Sequence, residues 1–493
     1  MASSSGPSEG AIDALMRAPD SEREYTTPHR LQSTHTPNPR FTISTRTYQQ
    51  QFSTMYFLRL ASLKPHVDAL AHSAWGDTTI AGEAVQHCDR VLDVRQGELC
   101  WVSGTVYMDM GLKPNILDDI TKDHWIAAPP PRAKYTTPGA DRIMLEDESG
   151  RLSLVGGVLG TMHLVTGCVV AVMGSETGDG DFEVLDVIIP DLPPQGPVAE
   201  KEEEEEGKGK SKGKGKEEGK GKGKGKVVLC SGLSFRGGLR ESFTTDLLSE
   251  YLLGELGTPT EQAHTATIIR LILAGNSLGA PLSVPVPAGE EKAKKYGYDA
   301  SAYNASPALA LDSFLAQLLP SLHVTVMPGE TDPANVSMPQ QPLHPAIFGE
   351  AKAYGGSTFE RATNPWTAEV GGVGLLGTSG QPLDDVYKYV EGEDRLAMAE
   401  RLLRWRVVAP TAPDTLWSYP FNDQDQFVIE ECPHVFFVGN QDKFETSLVE
   451  GAEGQRCRVV LVPRFSETGE VVVVDLETLE VEVVKFQLRE LVS

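Results

Sequence analysis

Thr267-Ile268-Ile269-Arg270-Leu271-Ile272-Leu273-Ala274-Gly275-Asn276-Ser277-Leu278-Gly279 joins an apolar run of strand length to a glycine–asparagine turn. The same arrangement returns where His323 to Met327 runs into Pro328-Gly329-Glu330-Thr331-Asp332-Pro333. A short apolar run closed by Gly, Pro or Asn reads as a buried strand, since those residues supply the turn that ends pairing. Val227 to Cys230, Gly374 to Leu376 and His434 to Val438 repeat the pattern. Between these runs lie helices. Ser306 can cap one, with Pro307 at its first position and Leu311, Phe314, Leu315 and Leu318 as its buried stripe. A second is expected from about Asp394 to Trp405, with Leu396, Ala399, Leu402 and Leu403 on one face. Strands alternating with amphipathic helices make an α/β unit. The closing β-runs, Arg458 to Val462, Val471 to Asp475 and Val481 to Phe486, are expected to add a second, antiparallel layer.

Upstream the pattern changes. Glu98 to Tyr107, Arg142 to Glu146, Arg151 to Val155, Cys168 to Met173 and Phe182 to Ile189 are short β-runs with little helix between them, and Ser149-Gly150 signals a hairpin. Such spacing fits a small Greek-key barrel of the OB type. Ahead of it Phe52, Met55, Tyr56, Leu60 and Leu63 fall at helical spacing, and Pro65 is expected to stop that helix. The division read from the sequence is a structureless tail over 1–35, a helix and barrel over 36–190, a low-complexity linker over 191–226 and the α/β unit over 227–493. The linker runs from prolines through Glu202 to Glu206 into alternating Gly and Lys. Glycine removes backbone restraint and lysines repel one another, so that composition cannot collapse.

The chain has 493 residues, too many for one ordinary core, and is 40% hydrophobic, enough for two. Its formal charge of −25 repels phosphate backbones and disfavours unaided binding to nucleic acid. Six cysteines without CxxC spacing read as buried thiols in a reducing compartment. No basic and apolar leader and no membrane-length apolar run is present, so a cytosolic or nuclear protein is expected.

In open α/β sheets the loops after the strands carry the chemistry. Here they are Ser231 to Ser234, Gly275 to Gly279, Pro328 to Asp332, Gly377 to Gln381 and Gly439 to Asp442. Their order and spacing resemble the calcineurin-like metallophosphoesterases, with signatures DxH, GDxxD, GNHD, a lone His and GHxH. Aligned on that signature, Gly232 and Ser234 stand for the Asp and His of the first motif, and Asn276 and Gly279 for the aspartates of the second. Glu330 and Thr331 replace the Asn and His of the third, where Asp332 alone matches, and Asn440 and Asp442 replace the histidines of the last. A two-metal hydrolase needs carboxylates and imidazoles converging on its ions. Glycine and serine supply neither. No metal and no cofactor is expected. His344 is the one loop histidine beyond the linker, since His264, His323 and His434 fall before or at the start of strands.

The resemblance narrows on seven ordered segments: Leu273 to Asn276, Met327 to Pro333, Pro339 to Pro345, Thr363 to Pro365, Leu376 to Gln381, Pro410 to Leu416 and Cys432 to Val435. Together they are similar to the second, B-type subunits of replicative DNA polymerase delta, and Tyr48 to Pro65, Gly104 to Leu117 and Leu145 to Asp147 extend the likeness upstream. The resemblance implies an OB-fold barrel packed on an inactivated phosphoesterase-like α/β sandwich, in a non-catalytic nuclear subunit serving DNA replication and repair. It also implies partners: the polymerase catalytic subunit, through its C-terminal cysteine-rich iron–sulfur domain, a third subunit, and the catalytic subunit of polymerase zeta. DNA would be met only through the complex. Two alternatives stay open. One is a residual phosphoesterase or nuclease using Glu330, Asp332, Asp442 and His344; the other is an OB-fold that binds single strands, against which the acidic β-runs around Trp101, Tyr107 and Phe182 argue.

Overall fold

A computed structural model describes residues 28–47, 49–80, 82–114, 132–197, 224–236, 243–279 and 304–487. Most of the Glu/Lys/Gly run and residues 1–27 lie outside them.

The N-terminal β-runs form a closed barrel. Cys100–Asp109 pairs antiparallel with Arg142–Glu146 on one side and with Val169–Glu176 on the other, and Arg151–Val155 and Asp181–Ile188 complete the ring. That double pairing makes a barrel rather than a sandwich. Cys100–Asp109 is buried over nearly its whole length, because the barrel interior takes one face and the helix Ser53–Trp75 covers the other. Gly174 sits where the register of Val169–Glu176 slips against Asp181–Ile188. A Cβ there would lie 1.9 Å from the Glu183 carbonyl oxygen, so the bulge requires glycine.

The α/β unit holds two six-stranded sheets. One runs Phe359–Arg361, His323–Met327, Ile268–Ala274, Lys226–Cys230, Glu470–Asp475, Val481–Lys485; its first four strands are parallel. The other runs His35–Pro37, Trp366–Val370, Val373–Thr378, Val435–Gln441, Arg456–Pro463, Glu445–Glu450. Their facing sides share an apolar layer that includes Ile272, Trp366, Phe437 and Val472. The helices Phe243–Leu253 and Ser306–Leu318 cover the outer face of the first sheet, burying Leu248, Leu311 and Leu315. Gln381–Tyr389 and Arg395–Arg404 cover that of the second, where their core runs without a break into the barrel.

Five expectations need correction. The helix does not end at Pro65 but continues to Trp75. Pro65 and Ala61, whose carbonyl loses its partner, both face solvent, while Leu63, Val67, Ala71 and Trp75 are buried and hold the second half. Residues 28–35 are not structureless: the Arg30 guanidinium donates to the carbonyls of Leu252, Thr265 and Ile268, and His35–Pro37 pairs with Trp366–Val370. Strand pairing and a three-carbonyl anchor outweigh a composition that looks unstructured. Residues 191–197, assigned to the linker, lie on the α/β unit. Gln195 exchanges bonds with the backbone of Arg456, and Arg406 donates to the carbonyls of Asp191 and Leu192. The terminal β-runs do not share a layer; Arg456–Pro463 joins one sheet and the last two strands join the other. Ser306 is helical, and Ala305 takes the cap position without a side-chain bond, while Asn304 Oδ1 accepts from the Ser306 amide at 2.9 Å.

Candidate functional site

The strand ends of both sheets meet at one edge of the sandwich, and the five loops interlock there. The amide of Gly232 donates to Gly275 O at 3.0 Å, that of Ser234 to Asn276 O at 3.0 Å, and that of Gly279 to Phe235 O at 2.9 Å. A Cβ on Gly329 would lie 2.3 Å from the Asn276 amide nitrogen, and one on Gly275 2.4 Å from Ser379 Cβ. Only bare backbone fits at that separation. Gly232, Ser234, Asn276 and Asn440 all take the left-handed conformation, with φ of 64°, 51°, 53° and 57°. Glycine and asparagine tolerate it, and serine adopts it at a cost that the surrounding bonds offset.

Several side chains of these loops bond to the loop backbone. Asn276 Oδ1 accepts from the Thr331 amide at 3.1 Å, and Thr331 Oγ1 donates to Leu278 O at 2.6 Å. The buried Asp332 carboxylate accepts from the amides of Gly329 and Leu278 at 2.8 Å and of Ser277 at 3.3 Å. Burial pushes its pKa up to about 6, against the pull of those amides. Asn440 Nδ2 donates to Ala274 O and Ser379 O at 3.2 and 2.7 Å, tying one sheet to the other. Its Oδ1 is buried without a protein partner.

Beside these loops lies an amide layer to which the residue pattern assigned no role. Asn364 Nδ2 contacts Gln340 Oε1, Ser379 Oγ and Gln381 Oε1 at 2.8, 2.6 and 3.0 Å, and Gln381 Nε2 donates to Gln340 Oε1 at 3.0 Å. Gln340 Nε2 in turn reaches the carbonyls of Gly329 and Asn335. The signal was present: three amides set in proline- and glycine-rich loops, where buried polar side chains need partners.

Three of the four residues of the enzymatic alternative are engaged separately. Asp332 is spent on backbone amides, and Asp442 is exposed and pairs with Arg464 at 2.6 Å. His344 is exposed and caps its own turn, Nδ1 accepting from the Ala346 amide at 3.2 Å. Glu330 is exposed. His434 accepts from the Gly374 amide through Nδ1 at 3.1 Å, at the opposite end of its strand. Among the described residues no three His, Cys, Asp or Glu side chains are placed to hold a metal ion. Of the barrel aromatics named for base stacking, Trp101 is buried against His87, with ring centroids 4.0 Å apart, and Phe182 is wholly buried. Tyr107, half-buried, lies under Lys113 and Arg151.

The two units are bolted together by Arg59. It is fully buried and donates to Asp425 Oδ2 at 2.7 Å and to the carbonyls of Gly167, Pro410 and Ala412 at 3.2, 2.6 and 3.0 Å. Lys134 adds three bonds of 2.9 Å to the carbonyls of Tyr387, Val390 and Gly392.

Comparison with known proteins agrees with this layout. Residues 51–187 match the family model for the DNA polymerase delta subunit OB-fold domain, and residues 227–446 match that for the B subunit of DNA polymerase alpha/epsilon. The chain is 38% identical over 448 residues to the DNA polymerase delta small subunit of Oryza sativa subsp. japonica, covering 91% of this chain and 96% of that one. It is 35% identical over 451 residues to DNA polymerase delta subunit 2 of Drosophila melanogaster, covering 91% and 96%. It is 33% identical over 479 residues to the DNA polymerase delta small subunit of Saccharomyces cerevisiae, covering 90% and 91%. With relatives of that identity spanning both units, the chain belongs to the DNA polymerase delta small-subunit family.

Proposed function

We propose that this accessory subunit of DNA polymerase delta is a non-catalytic scaffold whose α/β unit is an inactivated calcineurin-like phosphoesterase sandwich. In this reading Gly232, Ser234, Asn276, Gly279, Glu330, Thr331, Asp332, Asn440 and Asp442 stand where the hydrolase had its ligands and their neighbours. One observation supports it: Asp332 and the Asn440 side-chain amide nitrogen are bonded to the backbone of the strand-end loops, and among the described residues no three His, Cys, Asp or Glu side chains converge to grip an ion. A surface released from catalysis is free to become contact surface.

The partners in this proposal are the polymerase catalytic subunit, held through its C-terminal cysteine-rich iron–sulfur domain, and a third subunit. The polymerase zeta catalytic subunit is a further partner in this proposal. DNA is reached through the assembly, and the site of action is the nucleus. The chain's charge of −25 supports contact with DNA through partners rather than directly. Co-expression with the catalytic subunit's cysteine-rich tail tests the scaffold: a stable complex by size exclusion is expected, and elution as separate species counts against it. Manganese-dependent hydrolysis of a chromogenic phosphodiester, lost on replacing Glu330, Asp332 and Asp442 together with Ala, would overturn the non-catalytic part.

A further inference from the structure

Next to the interlocked loops is a recess of about 280 Å³ whose lining includes Glu330, Asp384, Asp385, Lys388 and Trp417. Trp417 is 64% exposed and Val336 78% exposed, among the most exposed large apolar side chains described. They come from separate segments held side by side, the Met338 amide donating to Trp417 O at 2.8 Å and the Tyr419 amide to Met338 O at 2.7 Å. An exposed indole on a backbone fixed by pairing loses little entropy when it is covered, which is the profile of an interface anchor.

The charges beside it are uneven. Asp384 is matched by Arg395, and Asp385 by Lys388 together with the Thr415 hydroxyl. Glu330 is exposed, with no ion pair among the described residues. An unmatched carboxylate beside an indole face suits one ligand chemistry: a cationic side chain, which pairs with the carboxylate and lies over the ring, next to an aliphatic group for the Val336 side. The phosphates of a nucleic acid would meet Glu330 with like charge.

We infer that this recess is a docking surface for a segment of another protein subunit that presents a lysine or arginine beside an aliphatic residue. The inference rests on the scaffold reading above and names a face for it.

Benzoylphenylalanine placed at Val336 of the full chain, co-expressed with the polymerase delta catalytic and third subunits, tests it by photo-crosslinking and peptide mapping. Crosslinks are expected to a basic, aliphatic segment of another subunit, with yield falling at least tenfold in Glu330→Lys and in Trp417→Ala. Both side chains are exposed, so an unchanged melting temperature would confirm that either variant is folded. If the complex assembles but the crosslinks stay within this chain, for example to residues 115–131 or 280–303, or ignore both substitutions, the docking surface is refuted and the scaffold stands. Failure of the unsubstituted chain to assemble sinks the scaffold reading and this surface with it.

Discussion

Arg59 is a buried cation whose donors are met by one carboxylate and three backbone carbonyls, so the side chain cannot be shortened or neutralised without orphaning several groups. Removing one partner of a buried pair typically costs about 3–5 kcal/mol, because the other charge stays in low dielectric. Arg59→Met is therefore expected to lower stability by about that amount in urea denaturation. Adding Asp425→Asn should recover only part of the loss, since the carbonyls of Gly167, Pro410 and Ala412 remain unpaired. Full recovery would mean that the carbonyl bonds contribute nothing. Asp332 gives a second, pH-dependent expectation. Its folded pKa is raised to about 6, so the folded state holds the proton more tightly than the unfolded chain. The stability this group contributes is complete below the ordinary carboxyl range and lost as pH rises through about 6. Relative to Asp332→Asn, the natural chain should thus lose stability between about pH 4 and 6, by about 2–3 kcal/mol if one pKa unit is worth about 1.4 kcal/mol. Parallel urea titrations across that range measure it, and a difference of opposite slope would show that the three amides, rather than burial, set the state of the carboxyl.

Elements show where local rules were overruled. Pro65 reads as a helix stop, yet the helix passes through it because the lost hydrogen bond falls on the wet side, at Ala61. Pro65→Ala restores that bond and should stabilise the chain by about 1–3 kcal/mol, seen as a higher melting temperature. The strand His35–Pro37 covers the edge of Trp366–Val370, and an uncovered edge invites pairing with other chains. Deleting residues 1–37 should speed hydrogen exchange in Trp366–Val370 and promote aggregation; unchanged exchange there would show the edge to be protected some other way. Such pairing is invisible to a pattern reader, since His35-Thr36-Pro37 has neither alternation nor apolar content and takes its order from a partner more than 300 positions away. The apolar runs were legible, as His323–Met327 and Arg151–Val155 show, because burial itself selects Val, Ile and Leu. The strand-end loops were legible in their glycines and asparagines, since Gly232, Asn276 and Asn440 take the positive φ that those residues tolerate. The amide layer beside them left only the signal of three amides in turn-rich loops, since what Gln340, Asn364 and Gln381 bond to depends on three loops meeting.

On the scale of the whole molecule, two chain halves that read as separate domains share one core. The apolar cluster that contains Val106, Leu154 and Phe182 of the barrel also contains Tyr389, Leu402, Trp405 and Phe436 of the α/β unit. Domains joined by a small polar contact swing relative to one another, whereas a continuous apolar interface fixes their angle. Here Arg59, Lys134 and residues 191–197 add polar bonds around that interface. The scaffold proposed above would need this rigidity to hold two partners in a set relation, because a hinge would spend binding free energy on ordering the assembly at each encounter. The consequence is thermodynamic: barrel and sandwich should unfold together. Differential scanning calorimetry is expected to show one transition, with barrel and sandwich probes coincident. Trp405→Ala removes a side chain that is 1% exposed at the shared core, a loss of about 3–5 kcal/mol for a large aromatic. Although Trp405 belongs to the sandwich, hydrogen exchange in the barrel strand Cys100–Asp109 should accelerate with that in Val435–Gln441. Acceleration confined to the sandwich would mean that the halves are energetically independent, and the shared apolar cluster would then not fix the angle between them.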